Sequence, residues 1–118
     1  MSDFTVTHSM SEDGEVRVVT LSGEMTIMHA GELRETLLSA LAGEGKFRVD
    51  VTAVTDIDLA GLQLLCAAHR AAVGARGTMT LNREGNEGFV DAARAAGFPR
   101  HVGCSRDTEK SCIWVGGY

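Results

Sequence analysis

The sequence predicts a single α/β domain spanning residues 1–118, a mixed β-sheet of about four or five strands backed by helices on one face. Three observations point there. Segments with a two-residue apolar period alternate along the chain with segments of helical period, the order expected when parallel strands are joined by helices. The first two strand-like segments are separated only by Ser11-Glu12-Asp13-Gly14, whose Asp-Gly ending is hairpin chemistry, so one strand is antiparallel. In Lys46–Val51, Phe47, Val49 and Val51 alternate strictly with Arg48 and Asp50, which implies one buried and one more polar face. A sheet covered by helices on both sides would show a continuous apolar run instead.

Taken in order, Phe4–Thr7 and Glu15–Leu21 are the hairpin strands, and Gly23 is expected to break the second. From about Met28 the period changes. Ala30, Leu33, Leu37, Leu38 and Leu41 mark one face of a first helix, with Glu32, Arg34 and Glu35 outside it and Gly43 and Gly45 ending it. The strand Phe47–Val51 follows. Asp58 then caps a second helix, about Leu59 to Val73, with Leu62, Leu65, Cys66, His69 and Val73 inward and Gly74 as its C-cap. Thr78–Leu81 is a short strand, and Asn86 caps a third helix from Glu87 to Ala96 carrying Phe89, Ala92, Ala93 and Ala96. A polar loop from Pro99 to Ser111 leads to an expected last strand, Cys112–Val115, whose Trp114 is either core or partner surface. No internal repeat, linker or low-complexity tract divides the chain.

An apolar fraction of 44% with 23% charged residues is that of a folded globular chain. The formal charge of −5 and the scattered basic residues argue against nucleic-acid binding, which needs clustered Lys and Arg. No apolar run reaches the length of a membrane span, and Met1-Ser2-Asp3-Phe4 shows no basic and apolar leader, so no membrane insertion is expected. Cys66, Cys104 and Cys112 form no disulfide framework, which favours a cytoplasmic location.

Asp56 and Asp58 stand beyond a strand end, where a phospho-acceptor or metal-binding aspartate could lie. A receiver-type site also needs an acidic pair after an earlier strand and a lysine after a later one. The corresponding positions hold Ser22-Gly23-Glu24, and Lys110 precedes the last expected strand. The simpler reading makes Asp58 a cap and Asp56 a solvated acid. His101, Cys104 and Cys112 lack the paired spacing of a structural zinc site. No nucleophile sits in an elbow or glycine-rich setting, although a triad assembled in space stays open. His69, on an apolar stripe, reads as a satisfied, partly buried side chain, and His29 as exposed. Gly85 and Gly88 around Asn86 form a turn and not a phosphate loop.

Three segments together resemble the STAS domain family, which includes bacterial anti-sigma factor antagonists. Leu21-Ser22-Gly23-Glu24-Met25-Thr26 is similar to its strand-loop segment, usually Leu-x-Gly-Glu-Leu-Asp, and Ala30–Leu38 to its first helix. Val49-Asp50-Val51 through Asp56-Ile57-Asp58-Leu59-Ala60-Gly61-Leu62 resembles its third strand and signature loop, often Asp-Ser-Ser-Gly or Asp-Ser-Ala-Gly. The firm resemblance covers about residues 4–98.

The resemblance implies a non-enzymatic interaction module without metal or cofactor, although some members hold nucleotides or lipids. In regulated members a Ser or Thr after the signature aspartate is phosphorylated by a GHKL-type kinase that is also the partner. Added phosphate charge would break that docking. Asp58 matches the aspartate, and Ala60 and Gly61 match the following pair. The phospho-acceptor position holds Leu59, which has no hydroxyl, and Thr26 replaces the common aspartate of the other loop. Either Leu59 packs on a neighbouring loop, or phosphorylation was never used, or Leu59 is an exposed anchor beside Met25, Ile27 and Met28.

The expected partner-binding set is thus Met25, Thr26, Ile27, Met28, Asp56, Asp58, Leu59, Ala60, Gly61 and Leu62. Expected partners are a GHKL-type kinase or anti-sigma factor, a chemotaxis component, or a transporter subunit, with a homodimer left open. Gln63–Arg70 is most similar to the chemotaxis-linked type. The alternatives are a small subunit of a lipid-transport ATPase, and an enzyme or phospho-aspartate receiver using Asp56 or Asp58.

Overall fold

The hairpin forms where the turn chemistry puts it. Strands β1 (Phe4–Met10) and β2 (Val16–Met25) pair antiparallel, and the Asp13 carboxylate takes the Ser11 hydroxyl (2.5 Å) and the Glu15 amide (3.0 Å) inside the turn. A single 3-10 turn, Ile27–His29, leads into α1 (Ala30–Ala42). Strand β3 (Lys46–Ile57), helix α2 (Leu59–Gly74), strand β4 (Thr78–Asn82) and helix α3 (Glu87–Ala95) complete the order. The computed structural model describes residues 3–42, 46–108 and 110–118. The sheet order is β1-β2-β3-β4, with β2–β3 and β3–β4 parallel, so the expected mixed sheet is found with four strands.

The core lies on one face of the sheet. Val19 and Leu21 of β2, Phe47, Val49 and Val51 of β3, and Met79 of β4 are buried against Leu33 and Leu37 of α1, Leu62 and Leu65 of α2, and Phe89 of α3. Burying a side chain of this size from water contributes roughly 1.5–3 kcal/mol. The opposite face carries Thr5, Thr7 and Thr80, all exposed, with Val18, Thr20 and Asp50 half-buried, as the alternation of β3 requires.

Several expectations are corrected. β2 runs on through Gly23, because that glycine takes φ +88°, and a Cβ there would run into the Asp3 carbonyl. β3 continues past Val51 to Ile57, so Asp56 lies inside the strand and not beyond its end. Two register shifts explain why the alternation hides this: Thr20↔Asp50 is followed by Ser22↔Ala53, and Gly23↔Val54 by Glu24↔Asp56, each adding a residue to β3. The first helix begins at Ala30. Leu38 is exposed, and Ala40 takes the buried place assigned to it. Gly43 and Gly45 lie outside the described residues. Gly74 belongs to α2, whose C-cap is Ala75, and Ala96 is the C-cap of α3. His29 is half-buried, stacked on Phe4 at 5.5 Å, and not exposed.

The segment Cys112–Val115 is not a strand; only Val115 makes a bridge, to Arg100. Trp114 is nonetheless core, 2% exposed and packed with Phe89, Phe98 and Tyr118. Aromatic burial, and not strand pairing, fixes the chain end. Arg83 stacks over the Tyr118 ring at 3.9 Å and donates to the Gly116 carbonyl (2.9 Å), closing that cluster from outside.

Candidate functional site

β2 and β3 are neighbours in parallel, with Met25 opposite Ile57 at their ends, so the segments leaving them emerge side by side. One carboxylate joins the two. Asp58 has extended backbone (φ −119°, ψ −177°), and one of its oxygens accepts the Gly61 amide at 3.2 Å as the α2 N-cap. The other oxygen accepts the Ile27 amide at 2.8 Å, across 31 residues of sequence. The Asp58 amide itself donates to the Met25 carbonyl at 3.4 Å. Gly61 completes the joint: a Cβ there would stand 2.5 Å from the Met25 carbonyl oxygen, so only a bare backbone lets α2 start this close to β2.

This joint presents three apolar side chains to solvent. Ile27 is 67% exposed, Met28 75% and Leu59 52%. Thr26, Asp58 and Ala60 are half-buried around them. Exposed Asp56 and half-buried Glu24, register neighbours on β3 and β2, lie at the strand ends beneath. Three of the expected partner-binding residues, Met25, Gly61 and Leu62, are buried and do not reach the surface of the patch. Met25 (0% exposed) and Leu62 (1%) belong to the core, and Gly61 is buried beneath the joint. β2 runs four residues past Leu21, so Met25 is a strand residue and not a loop residue.

The sequence also left undetected the bond from Asp58 to Ile27. An N-cap is a local signal, but a second acceptor role with a partner 31 residues away leaves no spacing to read. Asn86 is a similar case. Besides capping α3 through the Phe89 amide (3.1 Å), it donates to the Val51 (2.8 Å) and Val54 (2.9 Å) carbonyls, spanning the first irregularity of β3. A shallow cleft of about 230 Å³ runs between Asp56 and Asn86, lined also by Val54 and Phe89.

The other candidates resolve into structure. His69 is 4% exposed, and its Nε2 meets Ser111 Oγ at 2.9 Å. Asp107 lies near but spends its carboxylate on the Ser111 (2.8 Å) and Cys112 (3.1 Å) amides. Burial pushes the His69 pKa below the ordinary imidazole value, against the opposing charge of Asp107. With the Asp107 carboxylate on two amides and not on the imidazole, the three residues are not ordered as a triad and tie the chain end to α2. Among the described residues no group of three or more His, Cys, Asp or Glu is placed to hold a metal ion. Among the same residues no helix is long and apolar enough to cross a membrane.

The family model described as "Mlab, STAS domain" matches residues 8–101. The chain belongs to the STAS domain family. Solved structures agree on the fold. An anti-sigma factor antagonist from Mycobacterium paratuberculosis superposes with a TM-score of 0.67 at 20% identity, covering 80% of this chain and 79% of that one. A putative anti-sigma factor antagonist from Thermotoga maritima gives 0.56 at 18% identity, covering 77% and 80%. The murine Slc26a9 anion transporter gives 0.63 at 12% identity, covering 98% of this chain and 21% of the transporter. No curated protein sequence matches the chain. Family model and solved structures together give the chain the STAS fold.

Proposed function

We propose that this STAS domain docks a signalling protein through the face formed by Ile27, Met28 and Leu59, without catalysis and without phosphorylation at position 59. The observation that carries the reading is the exposure of three large apolar side chains on two loops locked together by Asp58. Exposed apolar groups on a fixed backbone bind at low ordering cost. Covering each from its present exposure contributes roughly 1–2 kcal/mol, and the three together about 4 kcal/mol, or about a thousandfold in affinity. With leucine at the phospho-acceptor position, docking here is constitutive, governed by the partner's abundance and not by a kinase. A bacterial kinase or anti-sigma factor, or a chemotaxis component, fits this role.

The test is affinity capture from native extract with the wild type, Leu59→Asp, and a control, Thr80→Asp, on the far face of the sheet. Leu59→Asp is expected to lose the protein that the wild type and the control both retain, with an unchanged circular dichroism spectrum. Equal retention by all three would overturn the reading.

A further inference from the structure

The sheet has an open edge, and its hydrogen-bond phase dictates what fits there. β1 is the outermost strand, and its seven residues, Phe-Thr-Val-Thr-His-Ser-Met, include no proline, lysine, arginine or carboxylate. Such residues, bulges or a covering segment are the usual protection of an edge. β1 pairs with β2 without irregularity, and Thr5, Thr7, His8, Ser9 and Met10 are exposed. The opposite edge, β4, is shorter and flanked by Arg76 and Arg83.

The Glu24 amide bonds the Asp3 carbonyl (2.7 Å) and the Ser11 amide the Val16 carbonyl (2.8 Å). In an antiparallel ladder this phase turns the odd-numbered residues of β1 toward β2. The amides and carbonyls of Phe4, Val6, His8 and Met10 therefore point away from the sheet, and among the described residues none of them has a backbone partner outside the sheet.

We infer that β1 is a homodimerisation edge, pairing antiparallel with β1 of a second copy about a two-fold axis at Thr7. Placing Thr7 opposite Thr7 puts Phe4 opposite Met10 and Val6 opposite His8, so all four outward residues of each copy meet the same set in the other. No shift by a single residue keeps those groups in phase. Cross-strand neighbours share a face, so Thr5, Thr7 and Ser9 join into a hydroxyl stripe on the open side. Phe4 and Met10 meet on the helix side, where Met10 stands 55% exposed. No charge within the strand opposes another across the axis. The acids lie beyond its ends, Asp3 at one and Glu12, Asp13 and Glu15 in the hairpin turn at the other, so added salt strengthens the pairing. A shift by two residues keeps the phase but leaves an outward residue of each copy unpaired, so the axis at Thr7 makes the longest ladder. The inference is independent of the docking face at Leu59.

Sedimentation equilibrium of the full chain tests it. The apparent mass is expected to rise from 12.5 kDa toward twice that value with concentration, and at lower concentration when salt is raised. Thr7→Lys or Thr7→Glu alone sets like charges opposite each other at the axis and weakens association several-fold, while an equimolar mixture of the two restores it. Amide exchange gives a readout without any variant. In the dimer Val6, His8 and Met10 exchange slowly and are released on dilution, whereas Thr5, Thr7 and Ser9 stay protected throughout. A chain that remains monomeric, a dimer indifferent to both charge variants, or exchange without this alternation would each overturn the inference.

Discussion

Asp58 does two jobs with two oxygens, and a substitution can separate them. Asn is as good an N-cap as Asp, so Asp58→Asn keeps the bond to the Gly61 amide but turns an amide group toward the Ile27 N–H. Asp58→Ala loses both. Urea unfolding is expected to show a loss of about 1–2 kcal/mol for the alanine variant, the cost of a missing cap, and clearly less for the asparagine variant. Partner affinity is expected to fall in both, because both free the loop that carries Ile27 and Met28. Equal stability losses would mean that the bond to Ile27 dominates over the cap. This residue also marks the limit of sequence reading at the site. Asp58 as cap follows from local spacing, while the exposure of Leu59, the burial of Met25 and the reach to Ile27 depend on two strands lying side by side.

Among the elements, those with uninterrupted periodicity are legible and those held by distant contacts are not. α2 and α3 appear with the caps that Asp58 and Asn86 announce. β3 is legible only to Val51, because the two extra residues it accommodates leave Thr52 with Ala53, and then Thr55 with Asp56, exposed in succession and destroy the alternation. Asn86 holds the first of these irregularities in shape. Asn86→Ala removes the α3 cap and leaves the Val51 and Val54 carbonyls without their donor, so a loss of about 2–3 kcal/mol is expected in thermal or urea unfolding. A change under 0.5 kcal/mol would show that water replaces the side chain there. The chain end follows the same logic. Trp114 seats by ring packing and Ser111 by a bond to His69, neither of which has a period, and so an irregular segment presents itself in sequence as a strand.

At the scale of the whole molecule, stability couples to pH through His69. Its folded pKa lies below the ordinary 6.5, so between the two values the unfolded chain binds more protons than the folded one. The contribution is therefore intact above about pH 6.5 and is lost as pH falls toward the folded pKa. The urea midpoint is expected to drop between pH 7.5 and pH 5.5, and His69→Gln to flatten that drop; an equal drop in the variant would place the proton uptake elsewhere. Architecture at this scale was the most legible property, since one polar strand face already implied one helix layer. The tail adds an optical consequence. Trp114 and Tyr118 are the chain's only indole and phenol, their rings 6.0 Å apart in one cluster, close enough for excitation of the tyrosine to pass to the tryptophan. The intrinsic fluorescence of this protein therefore reports on the C-terminal cluster, with Phe89 and Arg83 beside it. Docking at Leu59 would leave it dark to a spectrometer, and a partner would be seen only with a dye attached at the recognition loops.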